Sequence, residues 1–556
     1  MKPSPWSLWL LSALLTAGLG WVAPAAAASG SSVAPDDLFL RTNLLAISIT
    51  LSDEGRRTLR EMPSISGHSK PKGKAVVQEG GRSYRDVAVQ LKGTTSFQSL
   101  DDSPSLTLDF NQFVTDQRFH GLDKISLNNS LQDPTRLHEK LARELFAAAG
   151  VPVPQANYAM VTLDGRPLGL YVLVEGFGRS FLKRHFQDAR GKLYEAGRLQ
   201  DIDEPLQLKS GSAPGGRSDL ARLLRASRVP DPVQRFAALE AVVDLERLFS
   251  MVAVESMLCH SDSYSMNRNN YRIYHDPSTD RFVFLPHGMD RILGTHRSSL
   301  DLSIVPPAMG VVVRAVLSTK EGRRRYVARA GILFTNLFDA ERLGARVDEI
   351  DAAIVDVKRR FPGARESWGD GYSHPATDAS NLRYRIQKRA EELKLQFAQL
   401  PNLIAISSVP EFDSLGVARL TDWRIRWNLK QPPAELSLAI RDGRPLMRIR
   451  SAGEVVNTTL YCRVNLPLDH YHLSGQCASV SPPDLQIPLT SLRYSVEKFQ
   501  ALNLELGTRG ADYRFQVDPT LNFEEVEFIC EISASTNTVW LDPGSLVLRR
   551  DISPRE

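Results

Sequence analysis

His260-Ser-Asp-Ser-Tyr-Ser-Met-Asn267 is the stretch on which the reading of the chain turns. It is followed by Tyr271-Arg-Ile-Tyr-His275 and Arg281-Phe-Val-Phe-Leu285, which flank Asp276-Pro-Ser-Thr-Asp280, and then by Asp290. Two apolar runs around a proline-containing polar turn predict a β-hairpin, which returns Asp290 beside Asn267. Upstream, Asp244 predicts the cap of a helix in which Leu245, Leu248, Phe249, Val252, Ser256 and Cys259 share a face at offsets of three and four. A buried helix would thus deliver His260 and Asp262 from its end, a rigid support for a polar cluster.

Asp262, Asn267 and Asp290 stand in the order in which protein kinases present a catalytic base and two metal ligands. Moving a γ-phosphoryl group requires a carboxylate that accepts the acceptor hydroxyl's proton. It also requires an amide oxygen and a second carboxylate that hold Mg²⁺ against the phosphates. On this reading Asp262 is the base, His260 orients its loop, Asn267 and Asp290 are the metal ligands, and ATP and Mg²⁺ are the cofactors. As a bare pattern H-x-D-x-x-x-x-N is weak, since three fixed positions recur by chance in large chains. A hydrolytic carboxylate pair is a poorer fit, because Asp262 and Asp290 match base and metal roles better than a glycosidase dyad.

The wider chain carries more. Residues from about 40 to 400 resemble the spore-coat protein H (CotH) kinase family, a group of secreted atypical kinases. The matching segments are Val87-Ala-Val-Gln-Leu-Lys-Gly93, Phe119-His-Gly-Leu-Asp-Lys-Ile-Ser-Leu-Asn-Asn129, Asp133-Pro-Thr-Arg-Leu-His-Glu-Lys-Leu141, Asp164-Gly165, Gly169-Leu-Tyr-Val-Leu-Val-Glu175, Gly191-Lys-Leu-Tyr194, the block from Asp262 to Tyr274, and Leu285-Pro-His-Gly-Met-Asp290. Two departures bear on activity. Many members carry Pro-Trp-Asp-x-Asp where this chain has Pro286-His-Gly-Met-Asp290, so the first carboxylate is replaced by Gly288. Many also carry a lysine before the strand Leu106-Thr-Leu-Asp-Phe110, where this chain has Ser103-Pro-Ser105. The resemblance then leaves Lys92 or Lys124 to bind phosphate, with Glu139 as the helix glutamate that pairs with it.

The fold class expected is α+β: an atypical kinase-like, two-lobed domain over 36–400, followed by an all-β, jelly-roll-like domain over 402–556. The small lobe is strand-rich and antiparallel, because Leu45, Ile47, Ile49 and Leu51, then Val87, Val89 and Leu91, then Leu106, Leu108 and Phe110 alternate with polar or small residues. The Lys92-Gly-Thr-Thr-Ser96 turn has donors that could cover a phosphate, or is an ordinary hairpin loop. Asp133-Pro134 predicts a helix start, Asp164-Gly165 a hairpin turn. Gly191 to Asp231, rich in glycine, serine and arginine with weak periodicity, is expected to bridge to a larger helical lobe. Helical patterns run from Gly294 to about Leu400, where Pro401 is expected to stop the last helix. They include Arg323-Arg324-Arg325, either a lure for acidic substrate or a solvated face, and the loop from Arg359 to Ser380.

After Pro401 the periodicity changes to two, with Leu460, Cys462 and Val464, and Val526, Phe528, Cys530 and Ile532, each expected on one face. Trp423, Trp427 and Tyr471 could stack on a sugar or pack as core. Cys462, Cys477 and Cys530 allow one bridge in an oxidising compartment, with three pairings open; Cys259 reads as a buried thiol.

With 556 residues, two or three domains are expected, and 68 basic against 64 acidic residues give no reason to invoke nucleic acid or an anionic membrane. Lys2, the apolar run from Trp6 to Val22 and the alanine-rich stretch to Ala28 predict a cleaved secretory signal over 1–28, hence a secreted or periplasmic protein with no integral membrane segment afterwards. Two functions compete. One is a secreted kinase transferring phosphate from ATP to a hydroxyl on an extracytoplasmic protein. The other is a catalytically silent kinase fold that holds an envelope or coat protein, with the C-terminal domain docking carbohydrate.

Overall fold

A computed structural model describes residues 38–39, 45–61, 71–93, 96–212, 218–294, 300, 302–360, 379–398 and 400–404, and in the C-terminal part 410–420, 423–426, 434–441, 443–467, 469–475, 478–483, 489–494, 502–503, 511–516, 523–542 and 546–550. The expected signal, Thr94, Thr95, positions 361–378, Trp427 and Cys477 lie outside the described residues. The content is mixed, helix and strand together.

Seven strands, β1 (Leu45–Leu51), β2 (Gly73–Glu79), β3 (Arg82–Lys92), β4 (Ser105–Asp109), β5 (Lys124–Asn128), β6 (Ala156–Leu163) and β7 (Arg166–Glu175), close into a barrel in the order β1-β2-β3-β4-β5-β7-β6. The alternating residues fill its interior: Ile47, Ile49, Val87, Val89, Leu91, Leu106, Leu108 and Phe110 are all buried in one cluster. The expectation of antiparallel pairing needs one correction. β1 pairs with β6 in parallel, from Leu45↔Ala159 to Ile49↔Leu163, and that pair closes the barrel. Asp164-Gly165 makes the β6–β7 turn with φ of 50° and 77°, as a two-residue hairpin loop demands. Asp164 also ties the turn to the barrel's start, accepting from Leu51 N at 2.8 Å and Arg56 Nε at 2.9 Å.

On β3, β4 and β5 the outward residues are polar: Gln90 and Lys92, Thr107 and Asp109, Lys124, Ser126 and Asn128. They stay out of the barrel core because they hold the opposite parity from Leu91, Leu108 and Leu127.

The helices are α1 (Asp53–Arg60), α2 (His138–Ala148), α3 (Arg179–His185), α4 (Ser218–Ser227), α5 (Pro232–Val242), α6 (Leu245–Met257), α7 (Tyr264–Asn267), α8 (Val311–Leu317), α9 (Lys320–Leu337), α10 (Ala340–Arg360), α11 (Ala379–Ala398) and α12 (Leu400–Ile404). Asp133-Pro134 does not begin α2. The helix starts at His138, and Asp133 acts from a preceding turn by accepting His138 N at 2.9 Å. Pro401 does not stop α11 either, which ends at Ala398; proline is the second residue of α12, a first-turn position that loses no helical bond.

The largest departure from the sequence reading is at Gly191 to Asp231. Rather than a featureless bridge it supplies β8 (Lys192–Glu195), β9 (Gln207–Ser210) and α4. With the hairpin strands β10 (Tyr271–Asp276) and β11 (Arg281–Pro286), these form a sheet in the order β11-β10-β8-β9. The reason is non-local: Lys192–Glu195 pairs with His275–Arg272, some 80 residues on, so no local periodicity announces it. The arginine triplet is also spoken for. Arg323 donates to Leu317 O, Arg324 pairs with Glu321, and Arg325 with Glu240 and Glu246, so it does not form a lure for acidic substrate.

From Val417 onward the described chain is mostly strand, in three antiparallel sheets, one of them holding the long pair Val456–Pro467 against Phe523–Ala534. The predicted alternation holds: Leu460, Cys462, Val464, Val526, Phe528, Cys530 and Ile532 are buried in a cluster drawn only from residues between Leu420 and Leu548. Cys462 and Cys530 lie in that core, and Cys259 is buried as well. Trp423 and Tyr471 are buried there too, so neither presents a ring for a sugar to stack on.

Arg389 of α11 is wholly buried and donates to the carbonyls of Ser256 (2.8 Å), Met257 (3.1 Å), Leu300 (2.8 Å) and Leu302 (2.7 Å). Replacing it takes a charged donor from four carbonyls at once. Arg389→Leu is expected to lower stability by roughly 3–5 kcal/mol, the cost of breaking a buried charged network. Urea unfolding of the variant at parental midpoint would contradict this.

Candidate active site

The site is built on the end of α6. Asp244 caps the start of this helix by accepting Arg247 N at 3.1 Å, and its four last carbonyls, which no helical bond can reach, are all engaged. Glu255 O takes His260 N (2.9 Å), Ser256 O takes Cys259 N (3.1 Å) and Arg389, Met257 O takes Arg389, and Leu258 O takes Leu293 N (2.6 Å). The first two bonds, with Cys259 at φ 47°, form a Schellman turn that reverses the chain into His260. His260 is 1% exposed, neither ring nitrogen has a hydrogen-bond partner among the described residues, and burial pushes its pKa down, so it stands as a neutral imidazole.

Asp262 is then held by three amides. Asn267 Nδ2 (3.0 Å) and Asn269 Nδ2 (3.1 Å) donate to Oδ1, and Asn270 Nδ2 (3.0 Å) donates to Oδ2 and, at 3.0 Å, to Asp262 O. Asn267 therefore spends its nitrogen on Asp262, which leaves its carboxamide oxygen facing elsewhere. Behind the loop Glu255, wholly buried on α6, accepts Ser265 N at 3.1 Å, and burial raises its pKa to about 7.

The β10–β11 hairpin pairs from Tyr271↔Pro286 to Asp276↔Arg281 and returns Asp290 to this loop. α2 fixes the arriving segment: Glu139 Oε1 accepts Met289 N at 3.1 Å and His138 Nδ1 bonds Asp290 O at 2.8 Å. Burial first, then the charges of Glu139 and Asp262, push the Asp290 carboxyl up to about 7. Glu139 itself is driven the other way. Burial would raise it, but Arg143 at 2.7 Å and the charge of Lys92 hold it below its ordinary value.

Of the two lysine candidates the structure brings in one. Lys92, at the end of β3, donates to Asn128 Oδ1 at 2.7 Å; burial lowers its pKa to about 8, while Glu139 and Asp290 oppose that fall. It lies in the electrostatic field of Glu139 but not within ion-pair distance, since Glu139 is taken by Arg143. Lys124 is placed apart, in a 3.0 Å pair with Asp109. It lies four residues from Asn128 along β5, roughly 13 Å at strand spacing.

Lys92, Glu139, His260, Asp262, Asn267 and Asp290 thus converge, and Lys124 does not. Sequence reasoning missed Arg143, Asn269, Asn270, Asn128 and His138. Arg143 was within reach, four residues after Glu139 on a helix; Asn128 was not, because its meeting with Lys92 depends on the barrel register.

The donor set suits a hard cation. Asp262, Asn267 and Asp290 offer oxygen, and the Asp290 carboxyl is raised by burial first and then by the charges of Glu139 and Asp262. Among the described residues no three His, Cys, Asp or Glu side chains converge as a complete cage. A Mg²⁺ site needs none, since this ion is usually held by one or two carboxylates together with phosphate oxygens and water.

The family described as CotH kinase protein matches residues 89–393, more than half of the chain, and the chain belongs to that family. The inner spore coat protein H of Bacillus subtilis (strain 168) is 31% identical over 77 residues; the match covers 14% of this chain and 21% of that protein. The crystal structure of a Helicobacter pylori proinflammatory kinase, CtkA, aligns over 54% of this chain and 95% of its own at 10% identity and a TM-score of 0.27. Among the described residues no helix is long and apolar enough to cross a membrane.

The raised Asp290 carboxyl has a pH signature. Its folded-state value of about 7 lies above the ordinary 3.8, so the folded chain holds a proton that the unfolded chain releases. Without ligand, that group's contribution makes stability fall as pH rises from about 4 to about 7 and leaves it level above. Asp290→Asn should remove this component, so that the difference in urea stability between variant and parent grows over that window. A pH-independent difference would contradict the placement of Asp290.

Proposed function

We propose that the chain is an atypical kinase that transfers the γ-phosphoryl group of ATP, with Mg²⁺, to a hydroxyl of an extracytoplasmic protein. The observation that carries the proposal is the convergence of Asp262 with Asp290 on one side and Lys92 on the other. These are the three charges that phosphoryl transfer needs near the acceptor hydroxyl, the metal and the phosphates. In this reading the barrel serves as the small lobe and the helices from α4 onward as the large one. Asp290 and Asn267 would hold Mg²⁺, which when bound offsets the charge on the phosphates. Asp262, aimed by its three amides, would accept the hydroxyl's proton, and Lys92 would exchange Asn128 for a phosphate oxygen. The expected signal over 1–28 places the mature protein outside the cytoplasm, and the C-terminal sheets are read as a separate jelly-roll-like unit that docks carbohydrate or envelope material.

Gly288, and a Lys92 bonded to Asn128 rather than to Glu139, favour the second reading, a silent kinase fold that binds without turnover. The two separate on measurement. The kinase reading expects Mg²⁺-dependent ATP binding by calorimetry. It also expects that Asp262→Asn keeps that affinity within about threefold while phosphate transfer to casein, as a generic protein acceptor, falls by roughly 10²–10⁴. Unchanged transfer would remove Asp262 from the mechanism, and binding without any transfer by the parent would favour the silent fold.

A chain ending at Ile404 is expected to keep the nucleotide affinity of the whole and to lose retention on polysaccharide. Loss of nucleotide binding by a folded truncated chain would mean that the C-terminal sheets take part in the site.

A further inference from the structure

In one C-terminal sheet the strands stand in the order Ala434–Arg441, Arg444–Ser451, Thr538–Asp542 and Ala478–Ser481, so the first and last are its edges. The last is blunted, being four residues long with a register shift between Ser479 and Ser481. The first is eight residues long and pairs without a break from Ala434↔Ser451 to Arg441↔Arg444. It carries Leu438 and Ile440 at 73% and 78% exposure. A long, regular edge with exposed apolar side chains is one that natural sheets otherwise avoid, because its outward amides pair with another strand. Those amides are assigned by the hairpin. Arg441 and Arg444 flank a two-residue loop, with Gly443 at φ 74°, and so form a hydrogen-bonded pair. Counting back in twos, Ala439, Ser437 and Glu435 also bond inward, which turns the N–H and C=O groups of Ile440, Leu438 and Leu436 outward. Among the described residues no strand lies on that side.

The order of residues along this edge selects a partner. Leu436, Leu438 and Ile440 share one face of the strand, and Glu435, Ser437, Ala439 and Arg441 the other. We propose that two copies of this chain associate through Ala434–Arg441, antiparallel about a two-fold axis at Leu438, so that the two sheets become one. In that register Leu438 lies opposite Leu438 of the second copy and Leu436 opposite its Ile440, so every outward N–H meets an outward C=O. On the other face Glu435 lies opposite Arg441 of the second copy, and Ser437 opposite its Ala439, small beside small. The pattern is its own complement, as a two-fold interface requires. Registers centred on Ser437 or Ala439 lose both Glu–Arg pairs, and a parallel in-register pairing sets Glu435 against Glu435 and Arg441 against Arg441. Arg441 lies over the ring of Trp540, 5.3 Å from its centroid, which seats the guanidinium on the face that Glu435 of the second copy would meet.

The test is sedimentation velocity of the mature chain from about 1 μM to about 1 mM, the span suited to a contact smaller than the standard ~1,600 Å² interface. The parent should pass reversibly from monomer to dimer within that span. Leu438→Glu sets two carboxylates on the axis and should weaken the dimer by about tenfold or more, with melting curves to confirm folding. Glu435→Lys and Arg441→Glu each bring like charges together, and each alone should weaken self-association by roughly tenfold. An equimolar mixture of those two variants restores opposite charges at both ends and should recover the parental affinity to within about threefold. Should Leu438→Glu fail to fold, Ile440→Glu, which would face Leu436 of the second copy, carries the same comparison. A parent that stays monomeric throughout would overturn the inference. Parental dimerisation by folded Leu438→Glu would overturn it too, by placing the contact elsewhere. A mixture no tighter than its two components would overturn the two-fold register and leave the edge to an extended segment of a different protein.

Discussion

Everything at the site hangs from the carbonyls at the end of α6. A helix end buried in a core leaves acceptors that must be satisfied, and here each of the last four has a different partner: the backbone of His260, that of Cys259, the guanidinium of Arg389, and the backbone of Leu293. The first two bend the chain toward Asp262, the last ties in the segment just past Asp290, and Arg389 locks both to α11 and to the carbonyls of Leu300 and Leu302. A cation at a helix C-terminus is favourable in itself. Its larger effect is positional, since one planar group with donors in fixed directions sets three stretches of chain against one another. That is why residues nearly 30 apart in sequence, Asp262 and Asp290, can form one cluster.

The same economy appears in the charges. Glu139 looks from sequence like the partner of a phosphate-binding lysine, but in the structure its carboxylate is divided between Arg143 and the backbone of Met289. It acts on Asp290 in two opposed ways, holding the neighbouring backbone in place while its charge helps raise the Asp290 carboxyl. Like charges drawn together raise the pKa of a carboxyl among them, and in the proposed reading a divalent ion would offset them.

Strand parity was legible because it needs no partner: Ile47, Val89, Leu108, Leu460 and Phe528 went where alternation put them. Helix capping by Asp244 was legible for the same reason, being settled within four residues. What failed to show was whatever depended on a distant strand or helix. The parallel closure of β1 on β6 and the strand in Lys192–Glu195 are fixed by register against segments far along the chain. At the site the split is identical. The spacing of His260, Asp262 and Asn267 was visible and their support was not, because Arg389 lies 127 residues beyond Asp262 and belongs to a helix whose own pattern reports only its apolar face.

Lys92 is the member of the cluster least at rest. It is a cation whose burial lowers its pKa to about 8, and its hydrogen bond goes to the neutral amide of Asn128. An ammonium in that state gains from any anionic oxygen brought within reach, since charge-assisted hydrogen bonds are roughly twice as strong as those to neutral acceptors. In the proposed reading the Lys92 ammonium exchanges Asn128 for a phosphate oxygen by rotation of its own flexible side chain. The barrel wall itself, closed and without edges, need not move. In the proposed reading, a metal-bound polyphosphate would meet Lys92 of the barrel on one side and Asp290 on the other, while Arg143 occupies Glu139.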